Sequence, residues 1–255
     1  MSEFDISIIQ FLNSYVGQSP NFDAGVVHLT VNYLFKMTPM ILLLWGFWFI
    51  RDDNREQRRK AVALAFIGAF LAMATIRALA IFLPFRARPI HNHDLTIQIP
   101  YPMESHWLDG WSSLPSDHAG LAFALAIGVY LIHRRWGIVM LLHALIVVCL
   151  PRAYLGFHYP TDLILGAAIG TLCAWLTIRV FPLGFVISRI MRFERVQPAI
   201  FYILFFFMAA QMIEMFDSTR NLARNVLRPM SKIILQQALP GSPGNEPTKT
   251  TEIKK

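Results

Sequence analysis

Charge is scarce in this chain. Only 15% of its 255 residues are charged, against 55% that are apolar, too few to solvate the surface of an ordinary water-soluble domain. Cysteine is nearly absent: Cys149 and Cys173 both fall inside apolar runs and read as small buried hydrophobes, not as a disulfide or a metal site. The first 20 residues have no basic n-region and carry Glu3 and Asp5, so no cleavable signal is expected. No internal repeat is visible. Low complexity is confined to the polar, Pro- and Gly-bearing stretch 240–255, which is expected to be disordered.

What is abundant is long apolar sequence. Candidate spans cover residues 27–50, 61–84, 118–132, 137–150, 159–180 and 198–216. The third and fourth are short for a bilayer that takes roughly 20 helical residues to cross, and they are expected to continue into the loops beside them. The reading is an all-α, integral-membrane helical bundle with about six transmembrane helices. Its organisation is an N-terminal interfacial segment over 1–26, a membrane domain over 27–216, and a basic, partly disordered tail over 217–255. Phe4, Ile6, Ile8, Ile9, Phe11 and Leu12 suggest a short amphipathic helix at the membrane surface.

The net charge of +7 does not point to nucleic acid, because of where the cations stand. Arg51, Arg55, Arg58, Arg59 and Lys60 follow the first span, Arg134 and Arg135 the third, and Arg179, Arg189, Arg192 and Arg195 the fifth. They share one side, which the positive-inside rule assigns to the cytoplasm. The opposite loops then face the periplasm or exterior of a cell's inner membrane. Arg220, Arg224, Arg228 and Lys232 depart from this pattern. Their spacing of four places them on one helical face, suited to anionic headgroups.

Three fragments in those opposite loops carry chemistry: Arg88-Pro89, Pro115-Ser116-Asp117-His118, and Arg152-Ala-Tyr-Leu-Gly-Phe-His158-Tyr-Pro-Thr-Asp162. Phosphoryl transfer without a metal needs cations on the non-bridging oxygens, a nucleophile, an acid for the leaving oxygen and a group that orients the nucleophile. Arg88 and Arg152 can fork onto phosphate oxygens. Asp162 lies one helical turn after His158 and can take its Nδ1 proton, leaving Nε2 to attack. His118 is the second imidazole, aimed at the leaving oxygen. Ser116 precedes an apolar run and reads as a helix cap or as a phosphate ligand beside the first helical amides.

In this order the fragments resemble the type 2 phosphatidic acid phosphatase family, which includes the vanadium haloperoxidases. Its pattern is Lys-x6-Arg-Pro, Pro-Ser-Gly-His, then Ser-Arg-x5-His-x3-Asp. The third piece matches at Arg152, His158 and Asp162, with Pro151 in place of Ser. The second matches at Pro115, Ser116 and His118, with Asp117 in place of Gly; the first matches at Arg88 and Pro89. Ile81 stands where the pattern has Lys, and Arg77 and Arg86 are the nearest substitutes as phosphate-binding cations. The resemblance covers roughly residues 60 to 180.

The resemblance implies a metal-independent lipid phosphatase without cofactor, in which His158 forms a phosphohistidine and His118 protonates the departing oxygen. A polyprenyl pyrophosphate such as undecaprenyl pyrophosphate is the favoured substrate. Phosphatidate, phosphatidylglycerophosphate and lipid A phosphates stay open, as does transfer to another lipid. The rivals from other classes are a vanadium-dependent peroxidase, against which six apolar spans speak, and a non-catalytic or transporting membrane protein. His91-Asn92-His93-Asp94 has the residue types of a metal cluster but no distant third ligand, and reads as a solvated loop. Met103, Trp107, Trp111 and Leu114 read as an interfacial belt. Lys36, inside the first span, has no evident partner.

Overall fold

Several helices begin where the sequence offers the orphan amides an acceptor. In the computed structural model Ser19 Oγ accepts from Phe22 N, Asn32 Oδ1 from Leu34 N, Ser116 Oγ from Ala119 N and His133 Nδ1 from Trp136 N, as N-caps do. Pro20, Pro39, Pro160 and Pro198 occupy first turns, where a missing N–H costs nothing. The helices are α1 Glu3–Asn13, α2 Pro20–Val31, α3 Tyr33–Lys36, α4 Thr38–Phe49, α5 Arg55–Phe82, α6 Asp117–Ile132, α7 Arg134–His143, α8 Leu150–Tyr154, α9 Pro160–Arg179, α10 Gly184–Val196 and α11 Pro198–Ile213. The structure describes residues 2–104, 107–108, 110–180 and 184–219, and no strand occurs among them. Residues 2–215 form one unit and residues 216–219 belong to a second. The basic face from Arg220 to Lys232 and the end 240–255 lie outside the described residues.

Among the described residues three helices are long and apolar enough to cross a membrane: α5, the continuous run Arg134–Tyr154, and α9. Shorter apolar helices, α4, α6 and α11, complete the bundle. The run Arg134–Tyr154 joins α7 to α8 through a π-helical turn, Ala144–Cys149. Pro151 has no N–H to give the ladder, and the turn before it widens. The expected span 137–150 therefore gains a turn toward the site. The expected first span, 27–50, is by contrast not one helix. Asn32 caps a new start and Pro39 opens another, so the segment is α2, α3 and α4 in succession, with Lys36 at the second break.

At the centre α5, α6 and α9 pack on one another. Two glycines set how closely. A Cβ on Gly170 would lie 2.0 Å from the Gly120 carbonyl oxygen, and one on Gly166 2.3 Å from that of Ser116. Small residues four apart let helix backbones touch inside an apolar solvent, which brings the N-termini of α6 and α9 together. The Ser116 amide donates to the Asp162 carbonyl at 3.1 Å. Outward-facing Leu42, Phe70, Ile138, Leu142, Leu172, Trp175, Ile203 and Phe207 are exposed, as a lipid-facing surface requires. The α1 helix presents Asp5, Ile9 and Asn13 inward, at spacings of four, and leaves Phe4 and Phe11 exposed.

Candidate active site

All three fragments meet at one end of the bundle. Arg88 leaves the loop after α5, His118 begins α6, Arg152 sits in α8, and His158 and Asp162 bracket the start of α9. Arg88, Ser116, Arg152, His158 and Asp162 are buried, and the His118 side chain keeps 25% of its exposure.

His158 is held in one tautomer. Its Nδ1 lies 2.8 Å from the carbonyl oxygen of Ser113. A carbonyl only accepts, so in the neutral ring Nδ1 carries the proton and Nε2 the lone pair. That lone pair faces Arg88, whose Nη1 is 3.2 Å away and also donates to the Phe157 carbonyl at 2.7 Å. Burial, with the Arg88 guanidinium adding to it, keeps the His158 pKa well below the ordinary histidine value. The orienting group differs from the sequence expectation. Asp162 Oδ2 is 3.9 Å from His158 Nδ1, beyond hydrogen-bond reach, and instead accepts from the Tyr159 amide at 2.8 Å.

Asp162 faces another partner, Arg86. Nη1 of Arg86 contacts Asp162 Oδ1 and Thr161 Oγ1, its Nη2 lies 2.7 Å from Asp5 Oδ2, and its guanidinium stacks over Tyr159 at 4.1 Å. Asp5 in turn accepts from the Thr161 amide at 3.0 Å and from its hydroxyl at 2.7 Å. Burial alone would raise the Asp5 carboxyl, but the hydrogen bonds from Thr161 and Arg86 hold it below its usual range. Arg86, which its place two residues before Arg88 made a candidate for phosphate, is thus spent on two buried carboxylates that tie α1 to α9.

Arg77 is engaged as well. It pairs with Asp117 Oδ2, while Asp117 Oδ1 accepts from His118 Nδ1 at 2.7 Å and from the His118 amide at 2.8 Å. A carboxylate beside an imidazole fixes its tautomer and stabilises its cation. The residue that departs from the family's glycine therefore orients His118, and Arg77 balances it. Arg152 Nη1 donates to the Val148 carbonyl at 2.8 Å and acts electrostatically on both His118 and His158. Ser116 works as the cap of α6.

His91 Nε2 meets the Trp107 carbonyl at 2.8 Å, and Asn92 donates to the Tyr159 hydroxyl at 2.9 Å. Among the described residues no three His, Cys, Asp or Glu gather as metal ligands. Sequence reasoning missed Ser113, which contributes only backbone, and Asp5, which lies far off in the chain. It passed over Asp117, although a carboxylate next to a site histidine was the available signal.

The family model described as the PAP2 superfamily matches residues 61–185. Those residues form a PAP2 superfamily domain. The PAP2 domain runs from within α5 to past α9, takes in every motif residue, and leaves Asp5 and Lys36 outside it. The chain is 26% identical over 201 residues to the bacitracin transport permease protein BcrC of Bacillus licheniformis, covering 78% of this chain and 92% of that one. It is 26% identical over 157 residues to the undecaprenyl-diphosphatase BcrC of Bacillus subtilis (strain 168), covering 62% and 74%. With the lipid A 4'-phosphatase of Bacteroides thetaiotaomicron it shares 40% over 92 residues, 36% of this chain and 40% of that one. The fold is that of the Aquifex aeolicus LpxE crystal structure, with a TM-score of 0.51 at 22% identity, covering 70% of this chain and 99% of that one.

Proposed function

We propose that the protein is a membrane lipid phosphatase working through a phosphohistidine, and that its substrate is a polyprenyl pyrophosphate such as undecaprenyl pyrophosphate. One observation carries the reading: a buried imidazole with its lone pair on Nε2 beside Arg88, next to a second imidazole paired with a carboxylate. His158 Nε2 attacks phosphorus. The bond to the leaving oxygen breaks as His118 Nε2 gives that oxygen its proton. Water then attacks the phosphohistidine, His118 takes its proton, and the P–N bond breaks to release phosphate. Arg88 turns from the lone pair to the phosphate oxygens, and with Arg152 stabilises the five-coordinate charge.

Support for the polyprenyl substrate comes from the breadth of the match to the undecaprenyl-diphosphatase, 62% of this chain. A lipid A phosphate is the second reading, favoured by the higher identity over a shorter stretch to the lipid A 4'-phosphatase. The cations Arg51, Arg58, Arg134, Arg135 and Arg179 stand at the helix ends opposite the site, supporting an inner-membrane protein whose site faces the periplasm or exterior. The test is phosphate release by the purified protein in detergent, with chelator present, from a panel of polyprenyl pyrophosphate, lipid A, phosphatidate and phosphatidylglycerophosphate. Preference for lipid A would replace the substrate; release from none would end the phosphatase reading.

A further inference from the structure

Lys36 lies outside the PAP2 domain and is 4% exposed. No carboxylate pairs with it and no hydrogen-bond acceptor meets its ammonium among the described residues; Nζ lies over the Tyr33 ring, 4.1 Å from its centroid. Taking an ammonium out of water costs several kcal/mol even after relaxation, and a ring face returns about 2. A buried ammonium left so is relieved either by losing its proton or by meeting an anion.

Its surroundings say which anion. Lys36 ends α3, at the second break of the segment whose sequence reads as a single span. Irregular backbone at membrane depth is tolerated where it is buried in protein or lines a site. The Lys36 carbonyl accepts from His143 Nε2 at 3.0 Å, and α3 packs on the π-turn Ala144–Cys149 that leads to Arg152. From there the ammonium acts electrostatically on Arg152, Asp117 and His118. Lys36, Arg77, Arg88 and Arg152 all bear on the two histidines or on Asp117, whose charge Arg77 and His118 take up. Positive charge is left over. The position where the family pattern has lysine adds none, since Ile81 is apolar and 79% exposed.

We propose that the Lys36 ammonium is a direct ligand of the substrate's phosphate, delivered to the site by the break between α3 and α4. This rests on the phosphatase reading for its chemistry. An ammonium is a compact point charge with three donors, suited to a non-bridging phosphate oxygen.

The experiment compares wild type, Lys36→Met and Lys36→Arg in detergent for three properties: turnover of a short-chain polyprenyl pyrophosphate, binding of orthovanadate by calorimetry, and thermal unfolding. The expected result for Lys36→Met is a kcat lower by about 10²-fold, as for loss of one preorganised donor. Vanadate should bind at least tenfold more weakly, while unfolding is unchanged or moved upward because a buried charge has gone. Lys36→Arg should recover part of both losses. A structural lysine would give the reverse pattern, lower unfolding temperature with unchanged vanadate affinity, and would overturn the proposal. So would wild-type turnover in Lys36→Met. If Lys36→Met does not fold, the decision passes to the wild type, in which vanadate should protect Lys36 from acylation; labelling at the same rate with and without vanadate refutes the proposal. If no protein hydrolyses any lipid but vanadate affinity still falls in Lys36→Met, the phosphatase reading fails and the oxyanion site stands.

Discussion

Asp117 and His118 are neighbours in sequence and also in space, joined twice: the carboxylate takes both the backbone amide and the Nδ1 proton of the residue that follows it. A single side chain thereby sets the rotamer and the tautomer of the imidazole assigned to leaving-group protonation. Asp117→Asn should lower kcat by about 10- to 100-fold, within the range of general acid catalysis. The loss should be large for phosphatidate, whose leaving group is an alkoxide, and small for p-nitrophenyl phosphate, whose departing oxygen needs no proton. An equal loss for both leaving groups would remove Asp117 from that role.

Arg77 touches His118 only through Asp117, so its contribution depends on that carboxylate. Arg77→Met should reduce kcat in the wild-type background and do little in Asp117→Asn. A double-mutant cycle on one substrate measures this, with a coupling of about 1–3 kcal/mol expected for contacting residues. Additive losses would mean that Arg77 meets the substrate itself.

His158→Gln should abolish turnover while the protein stays folded, because no other group supplies the nucleophile. Since burial and Arg88 hold the His158 pKa well below the ordinary value, its lone pair stays available as pH falls through the usual histidine range. The acid limb of kcat/KM should therefore lie below about pH 6.5. Stability follows the same sign. The unfolded chain takes up a proton that the folded ring refuses, so His158 favours the folded state above that pH and this contribution is lost as pH drops further. Unfolding temperature against pH, compared between wild type and His158→Gln, isolates it.

Arg86→Ala leaves Asp5 and Asp162, 1% and 0% exposed, as buried carboxylates without their cation. Removing one partner of such a network costs about 3–5 kcal/mol. The variant should lose thermal stability sharply, and Asp5→Asn, which keeps a hydrogen-bonding side chain, should lose less. A stable Arg86→Ala protein with a raised KM would return Arg86 to the phosphate.

Much of this site is legible before folding because its chemistry resides in side chains at short, fixed spacings: Arg152 to His158, Ser116 to His118, Arg88 beside Pro89. The all-helical bundle is legible because apolar runs of that length leave no other solution. What escapes is carried by backbone or by distance. The Ser113 carbonyl that orients His158 has no residue signature, and Asp162 at the right spacing looks like the orienter until Arg86 and the Tyr159 amide claim it. The break of the first span escapes because Asn32 and Pro39 are weak signals inside a strongly apolar stretch. With it goes the placement of Lys36, which reads as an unexplained charge in a helix and stands at a break between two.

The bond between Asp5 and the Thr161 amide spans 156 positions of sequence. A ribosome feeding this chain into a membrane releases α1 first, and α1 must wait, its inward carboxylate unmatched, until α9 has emerged and been inserted. Contacts that distant form late, since the chain between them has to be ordered first. The histidine pair therefore cannot be clamped in a half-made polypeptide, and a nascent chain stalled before α9 holds its arginines and His118 without the end that completes them.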